Sequence, residues 1–367
     1  MMDAIVRRLP IVACATLVAS IAAPVSVTRS WSVPAGDSQM LVASRGNVVA
    51  YGTGGDCKVF NSSGNPVLTV PDVKQAKFIS SSLWVVRIQT NGDAIEEWNV
   101  TAKKRLRSFF AGRKVSLGAR SGDNLFYIAD SAIVRRSISR NQVLDTRTIT
   151  NDYLRDDSVA TNGKSVFFAA SHEVYGLNAG DFDSGWRSYC DLKPEVVDAQ
   201  GIICSGGLKF GLGSLGFDGR MQWSLPQSRD HDRFHRDTLV VSGKMIFAAG
   251  VRLRPGGDVV SAMLYGIRRS DGKQLWNGYL IPLAMGTVDK GLAVLAGYRL
   301  ADKPTSWNPY SSGAYQLGLR VEVRNPANGR LLARTSKFPA ESAVDIAAVG
   351  GSVFVLNGKK LTRYRVT

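Results

Sequence analysis

A short phrase that keeps returning along the chain constrains its fold more than any other feature: a strand-like run, a tight turn of Asn, Asp, Ser or Gly, then a second strand-like run. It stands at Val59-Phe60-Asn61-Ser62-Ser63-Gly64, at Trp98-Asn99-Val100-Thr101-Ala102-Lys103 and at Arg136-Ser137-Ile138-Ser139-Arg140-Asn141. It returns at 177–183, at Gly216-Phe217-Asp218-Gly219-Arg220, at 267–273 and at 323–330. The turns recur about every 44 residues, with gaps of about 35 to about 57, the spacing of a repeat whose loops differ in length. Upstream of the turns lie short apolar runs such as Val48-Val49-Ala50-Tyr51, Leu83-Trp84-Val85-Val86, Leu125-Phe126-Tyr127-Ile128, Val166-Phe167-Phe168-Ala169, Met245-Ile246-Phe247-Ala248 and Leu292-Ala293-Val294-Leu295. Runs of this length, bounded by turn residues and rich in β-branched and aromatic side chains, signal buried strands.

Four short strands per repeat make one blade of a propeller. The expected fold class is therefore all-β, a β-propeller of four-stranded antiparallel blades, with strands A to D counted outwards from the axis. Eight blades are expected, and seven is the alternative if one early unit is misread. The last repeat ends early: 344–349, 352–356 and 361–366 supply strands A, B and C, and there the sequence stops. Its missing strand D is expected near the other end, because Ser30-Trp31-Ser32-Val33-Pro34 resembles Gln222-Trp223-Ser224-Leu225-Pro226. Such a strand would close the ring and leave no unpaired sheet edges at the seam. A sequence of 367 residues, 44% of them hydrophobic, can fill one such domain over 29–367.

The segment before it has another character. Arg7 and Arg8 precede an apolar stretch at 11–23, and Ser20-Ile21-Ala22 places small residues where a signal peptidase cuts. Residues 1–28 are expected to be a signal peptide, which makes the protein secreted, periplasmic or associated with the cell envelope. A retained membrane anchor over 9–27 is the alternative, and Ile11-Val12-Ala13-Cys14 also looks like a lipidation site. Export permits a disulfide. Cys190 and Cys204 are close in sequence and are expected on neighbouring strands, which makes them the natural pair and leaves Cys57 as a buried apolar residue.

The turn at Tyr265-Gly266-Ile267-Arg268-Arg269-Ser270-Asp271-Gly272-Lys273-Gln274-Leu275-Trp276 resembles the repeat phrase of pyrroloquinoline-quinone (PQQ)-like propellers, Ala-x-Asp-x-x-Thr-Gly-Lys-x-x-Trp. Gly272, Lys273 and Trp276 match it, Gly219, Arg220 and Trp223 form a shorter version, and Gly329-Arg330 a weaker one. The resemblance implies that the Trp packs between adjacent blades and that the Gly permits the hairpin between strands C and D. It implies a fold and not an activity. The family includes quinone-dependent dehydrogenases and non-catalytic scaffold propellers, and this chain resembles the second branch. It lacks the adjacent cysteine pair that many of the dehydrogenases carry over the cofactor.

No catalytic set, metal set or cofactor is expected. The chain has no Gly-x-Ser-x-Gly elbow, Walker loop or His-Glu-x-x-His. Asp181-Phe182-Asp183-Ser184-Gly185 begins like a calcium loop but falls where the repeat requires a turn. A formal net charge of +16 points to anionic surroundings. Specific nucleic-acid binding is not expected of an exported chain. The longest insertions fall at B–C positions of neighbouring late blades, beside the D–A connection that carries His231 and His235. That topology gathers His231, His235, Arg252, Arg254, Trp307 and Tyr310 on one face, and long loops on a rigid scaffold are where binding concentrates. Arg, Trp and Tyr are also enriched among the residues that dominate interfaces. The expected function is that of a monomeric, non-enzymatic binding or scaffold module for a protein or an anionic cell-envelope polymer, close to a membrane. A PQQ-dependent dehydrogenase-like or other propeller enzyme is the alternative.

Overall fold

The computed structural model describes residues 24–44, 46–149, 159–171, 173–189, 193–198, 200–205, 210–226, 233–253, 259–299, 317–339, 341 and 344–367. Strand β1 (Val27–Pro34) comes first. Unit 1 follows with β2 (Met40–Ser44), β3 (Asn47–Tyr51), β4 (Gly55–Asn61) and the first half of β5 (Pro66–Ile79). Unit 2 takes the second half of β5, then β6 (Ser82–Gln89), β7 (Gly92–Asn99) and β8 (Lys104–Gly112). Unit 3 is β9 (Ser116–Ser121), β10 (Asn124–Ala129), β11 (Ala132–Ser137) and β12 (Gln142–Thr148). Unit 4 is β13 (Ala160–Thr161), β14 (Ser165–Ala170), β15 (Glu173–Asn178) and β16 (Gly185–Tyr189). Unit 5 is β17 (Lys193–Asp198), β18 (Gly201–Ser205), β19 (Phe210–Leu215) and β20 (Met221–Pro226). Unit 6 is β21 (Arg233–Ser242), β22 (Met245–Leu253), β23 (Val259–Arg268) and β24 (Gln274–Tyr279). Unit 7 is β25 (Ile281–Val288), β26 (Gly291–Arg299), β27 (Leu317–Arg324) and β28 (Leu331–Arg334), with β29 (Phe338–Pro339) also on β27. Unit 8 is β30 (Val344–Val349), β31 (Ser352–Asn357) and β32 (Lys360–Val366).

Every pairing is antiparallel, and all but two join sequence neighbours: β29 lies on β27, and β1 lies on β32, with Val27 opposite Val366 and Pro34 opposite Lys360. β1 thus forms the outer edge of the sheet that β30, β31 and β32 make. Units 1 and 2 share one seven-stranded sheet because β5 serves both. Its Pro66–Val70 stretch pairs with β4 and its Gln75–Ile79 stretch with β6. Between the two, Asp72 takes a positive φ of 57°, which bends the strand at the corner. Divided there, each half has four strands like the other sheets, except that unit 7 carries β29 as a fifth. The inner strands of the units touch in cyclic order, β2 to β5, β5 to β9, β9 to β13, β13 to β17, β21 to β25, β25 to β30 and β30 to β2, with β21 reaching unit 5 through β18 and β19.

The apolar runs that mark strand B are continuous because both of their faces are buried. On β10, Leu125, Tyr127 and Ala129 pack towards unit 2, while Phe126 and Ile128 pack towards unit 4. On β14, Val166 and Phe168 face unit 3, while Phe167 faces unit 5. On β26, Ala293 and Leu295 face unit 8, while Leu292 and Val294 face unit 6. Each junction has such a cluster, including the one between units 8 and 1, where Phe354, Leu356 and Leu361 meet Leu41, Val48 and Phe60. Fully burying a Phe or Leu side chain contributes about 1.5–3 kcal/mol. The core is therefore a set of interfaces between sheets.

Candidate functional site

The seven repeat turns all fall between the third and fourth strands of units 1 to 7. The Trp residues on the fourth strands explain what those turns are for. Trp223 of unit 5 lies against the turn of unit 6 and donates Nε1 to the Arg269 carbonyl at 2.8 Å. Trp276 of unit 6 donates to Pro326 in the turn of unit 7 at 3.0 Å. Trp186 of unit 4 donates to Phe217 in the turn of unit 5 at 2.6 Å. Trp31, on the strand that completes unit 8, donates to Ser62 in the turn of unit 1 at 2.9 Å. Each ring lies against the turn glycine of the next unit: Gly64 beneath Trp31, Gly219 beneath Trp186, Gly272 beneath Trp223 and Gly329 beneath Trp276. A Cβ on Gly272 would stand 2.6 Å from the Trp223 ring, and its φ of +69° disfavours any side chain. The Gly and the Trp of one phrase therefore serve different junctions. Trp186 carries no repeat phrase in the sequence, because no glycine stands four residues before it. Phe182 holds that place, at a φ of 60°.

Two junctions use arginine instead. Arg107 on β8 donates to the Ile138 carbonyl in the turn of unit 3 at 2.7 Å. Arg147 on β12 donates to the Phe182 carbonyl in the turn of unit 4 at 2.9 Å. Arg107 also pairs at 2.8 Å with Glu97, which is buried. At the inner edge of units 2 and 3, Gln75 accepts the Leu117 N–H at 2.7 Å and Lys77 donates to the Gly118 carbonyl at 2.8 Å. Both lie beside a cavity of about 460 Å³ that Met40, Val42, Tyr51 and Lys74 also line. At the seam, Asp345 of β30 accepts the Leu41 N–H of β2 at 2.7 Å and the Ile346 N–H at 2.7 Å. Burial pushes its carboxyl up to about 6.

Of the six residues expected on a binding face, His231, Arg254, Trp307 and Tyr310 lie outside the described residues. His235 falls within β21 and Arg252 within β22. The pairing of Arg233 with Val251 brings those stretches to one end of the unit 6 sheet. Cys204 is buried on β18, and its expected partner Cys190 lies outside the described residues. The Asp181 segment forms the turn of unit 4: Asp181 accepts the Asp183 N–H and Asn178 accepts that of Gly180. Among the described residues, no three His, Cys, Asp or Glu side chains converge as metal ligands would.

At the opposite end of the sheets, a cleft of about 580 Å³ opens between units 5 and 6. Gln200 and Lys244 line it from A–B turns and Ser214 and Gln222 from β19 and β20, and the repeat phrase of unit 6 supplies Arg268, Arg269 and Ser270. Arg269 is buried and clamps both oxygens of Asp198 in unit 5, Nη2 reaching Oδ1 at 2.5 Å. That hydrogen bonding holds the Asp198 carboxyl below its ordinary range. Arg268 holds Asp271 down to about 2 by hydrogen bonding. Sequence reasoning read these arginines as part of a turn phrase and did not foresee the cleft, because Asp198 lies 71 positions before Arg269.

No protein-family model matches the chain, and neither does any curated protein. Solved structures do match its fold. The C-terminal WD40 domain of Sif2 is similar with a TM-score of 0.66 at 8% identity, over 93% of this chain and 98% of that one. The computationally designed Ika8 protein gives 0.65 at 12% identity, over 92% and 99%. BamB from Moraxella catarrhalis gives 0.57 at 11% identity, over 92% and 97%. WD40 repeats build propeller blades. With its four-stranded antiparallel sheets, this chain is a β-propeller.

Proposed function

We propose that this chain is an exported, eight-bladed propeller of the PQQ-like repeat type that binds a protein or an anionic cell-envelope polymer and catalyses no reaction. The observation that carries the reading is the repeat itself, since seven C–D turns and four inter-unit Trp contacts account for the motif residues as architecture. The pairing of β1 with β32 and the cyclic contacts of the inner strands support a closed ring of eight. Residues 1–28 support export, and the net charge of +16 supports an anionic partner.

The binding face is the one formed by the B–C and D–A connections, with His231, His235, Arg252, Arg254, Trp307 and Tyr310. Cross-linking to cell-envelope fractions tests it. Replacing Arg252, Arg254, Trp307 and Tyr310 by Ala abolishes the cross-linked species if this face binds, and an unchanged pattern overturns the face. Saturable quinone absorbance on adding PQQ and calcium would overturn the non-enzymatic reading.

A further inference from the structure

The cleft between units 5 and 6 has the construction of a ligand site, on the face opposite the long loops. Both sides of it are held in place. The Arg269 side chain, only 5% exposed, ties the turn of unit 6 to Asp198 of unit 5. Its main-chain N–H donates to Lys244 at 2.9 Å, and its carbonyl receives the Trp223 indole at 2.8 Å. These contacts fix the backbone of the cleft, from which Gln200, Gln222, Lys244 and Ser270 stand exposed.

The lining decides the chemistry. Gln200, Ser214 and Gln222 come from unit 5, and Lys244, Arg268 and Ser270 from unit 6. Among the described residues, no aromatic or aliphatic side chain lines it; the apolar surface there comes from the stems of polar side chains and the backbone. Its groups suit a ligand rich in hydroxyls. Charge narrows the choice further. Asp198 offsets Arg269 and Asp271 offsets Arg268. Lys244 has no carboxylate partner among the described residues, which leaves the cleft one net positive charge. That balance matches a single carboxylate better than a dianionic phosphate. The cleft volume of about 580 Å³ lies within the range of small-molecule sites.

We propose that this cleft binds an acidic sugar residue of a polysaccharide, with its carboxylate on Lys244 and its hydroxyls on Gln200, Gln222 and Ser270. The proposal goes beyond the loop-face reading and uses none of its residues.

The test is calorimetric titration of the full chain with an oligoglucuronate, with a neutral glucose oligomer of equal length and with inorganic phosphate. The oligoglucuronate is expected to bind saturably, and the neutral oligomer at least tenfold more weakly. Lys244→Gln, in an exposed turn, is expected to weaken oligoglucuronate binding at least tenfold with no change in melting temperature. Gln200→Ala is expected to weaken it by a smaller factor. Absence of binding, equal binding of the neutral oligomer, displacement by equimolar phosphate, or indifference to Lys244→Gln would each overturn the proposal. A variant with Arg252→Ala and Trp307→Ala separates the two readings. It should leave oligoglucuronate binding intact, whereas loss there without loss in Lys244→Gln overturns the cleft and favours the loop face.

Discussion

The junctions entered by Trp31, Trp186, Trp223 and Trp276 and those entered by Arg107 and Arg147 do one job with different chemistry. In both sets an outer strand sends an N–H donor into a carbonyl of the next unit's C–D turn. The receiving turns differ in step with the donor. Every turn under a Trp has glycine at its positive-φ position: Gly64, Gly219, Gly272 and Gly329. The turns that receive Arg107 and Arg147 have Asn141 and Phe182 there. An indole lies flat against the turn and leaves no room for a Cβ. A guanidinium reaches the carbonyl on a flexible stem and leaves the turn free to carry a side chain. The remaining junctions, from unit 1 to 2 and from unit 7 to 8, carry Leu68 and Ala333 at the matching position, both packed in apolar clusters, and between units 7 and 8 the Asp289 N–H also donates to the Gly350 carbonyl at 2.9 Å.

Substitution of the turn residue should separate the two sets most sharply. Gly272→Val forces a β-branched residue into positive φ and into the Trp223 ring, at a cost of about 2–6 kcal/mol in urea unfolding. Asn141→Gly, at an Arg-docked turn, should stay within about 1 kcal/mol of the parent. Equal losses at the two sites would dissolve the distinction.

Removing the donors comes next. Trp223→Ala should cost about 3–5 kcal/mol through lost burial. Arg107→Ala should cost about 1–3 kcal/mol, because it deprives the buried Glu97 of a partner at a half-exposed site. High salt should shrink the Arg107 effect and leave the Trp223 effect unchanged.

The pairing of Trp with Gly can be tested by transplanting it. Arg107→Trp alone should destabilise, and Arg107→Trp with Asn141→Gly should recover about 1–2 kcal/mol of coupling in a double-mutant cycle. Additivity would show that the glycines are there for the turns alone.

The smallest effect distinguishes one Trp junction from the others. At the seam between units 8 and 1, Asp345 has its carboxyl raised to about 6 in the folded state. A raised carboxyl contributes most below its unfolded value near 4 and loses that contribution as pH climbs through about 6. Relative to Asp345→Asn, the parent should therefore gain thermal stability as pH falls from 7 to 5. A flat difference would remove Asp345 from the seam's energetics.

The architecture was legible in the sequence because its signals are local. A turn phrase with apolar runs before it reports four strands per unit, and runs without alternation report strands buried on both faces. Trp31 was legible as the missing outer strand because its neighbours copy those of Trp223. The candidate sites were far less legible. Gly272 and Trp276 sit four apart in one phrase, yet Gly272 serves Trp223 and Trp276 serves Gly329. The Arg107 and Arg147 contacts carried no motif at all, and the cleft at Arg269 read as part of a turn.

The sequence alone determined that the chain is all-β, that its strands come in antiparallel groups of four, and which N-terminal strand pairs with β32. Tertiary structure alone decided what holds each junction and where a ligand-sized cleft opens. The physical reason is range. A hairpin is set by residues a few positions apart, whereas the Trp contacts join residues 31, 46 and 50 positions apart. Whether a side chain meets a glycine, an asparagine or an aspartate across such a gap depends on how two finished sheets pack.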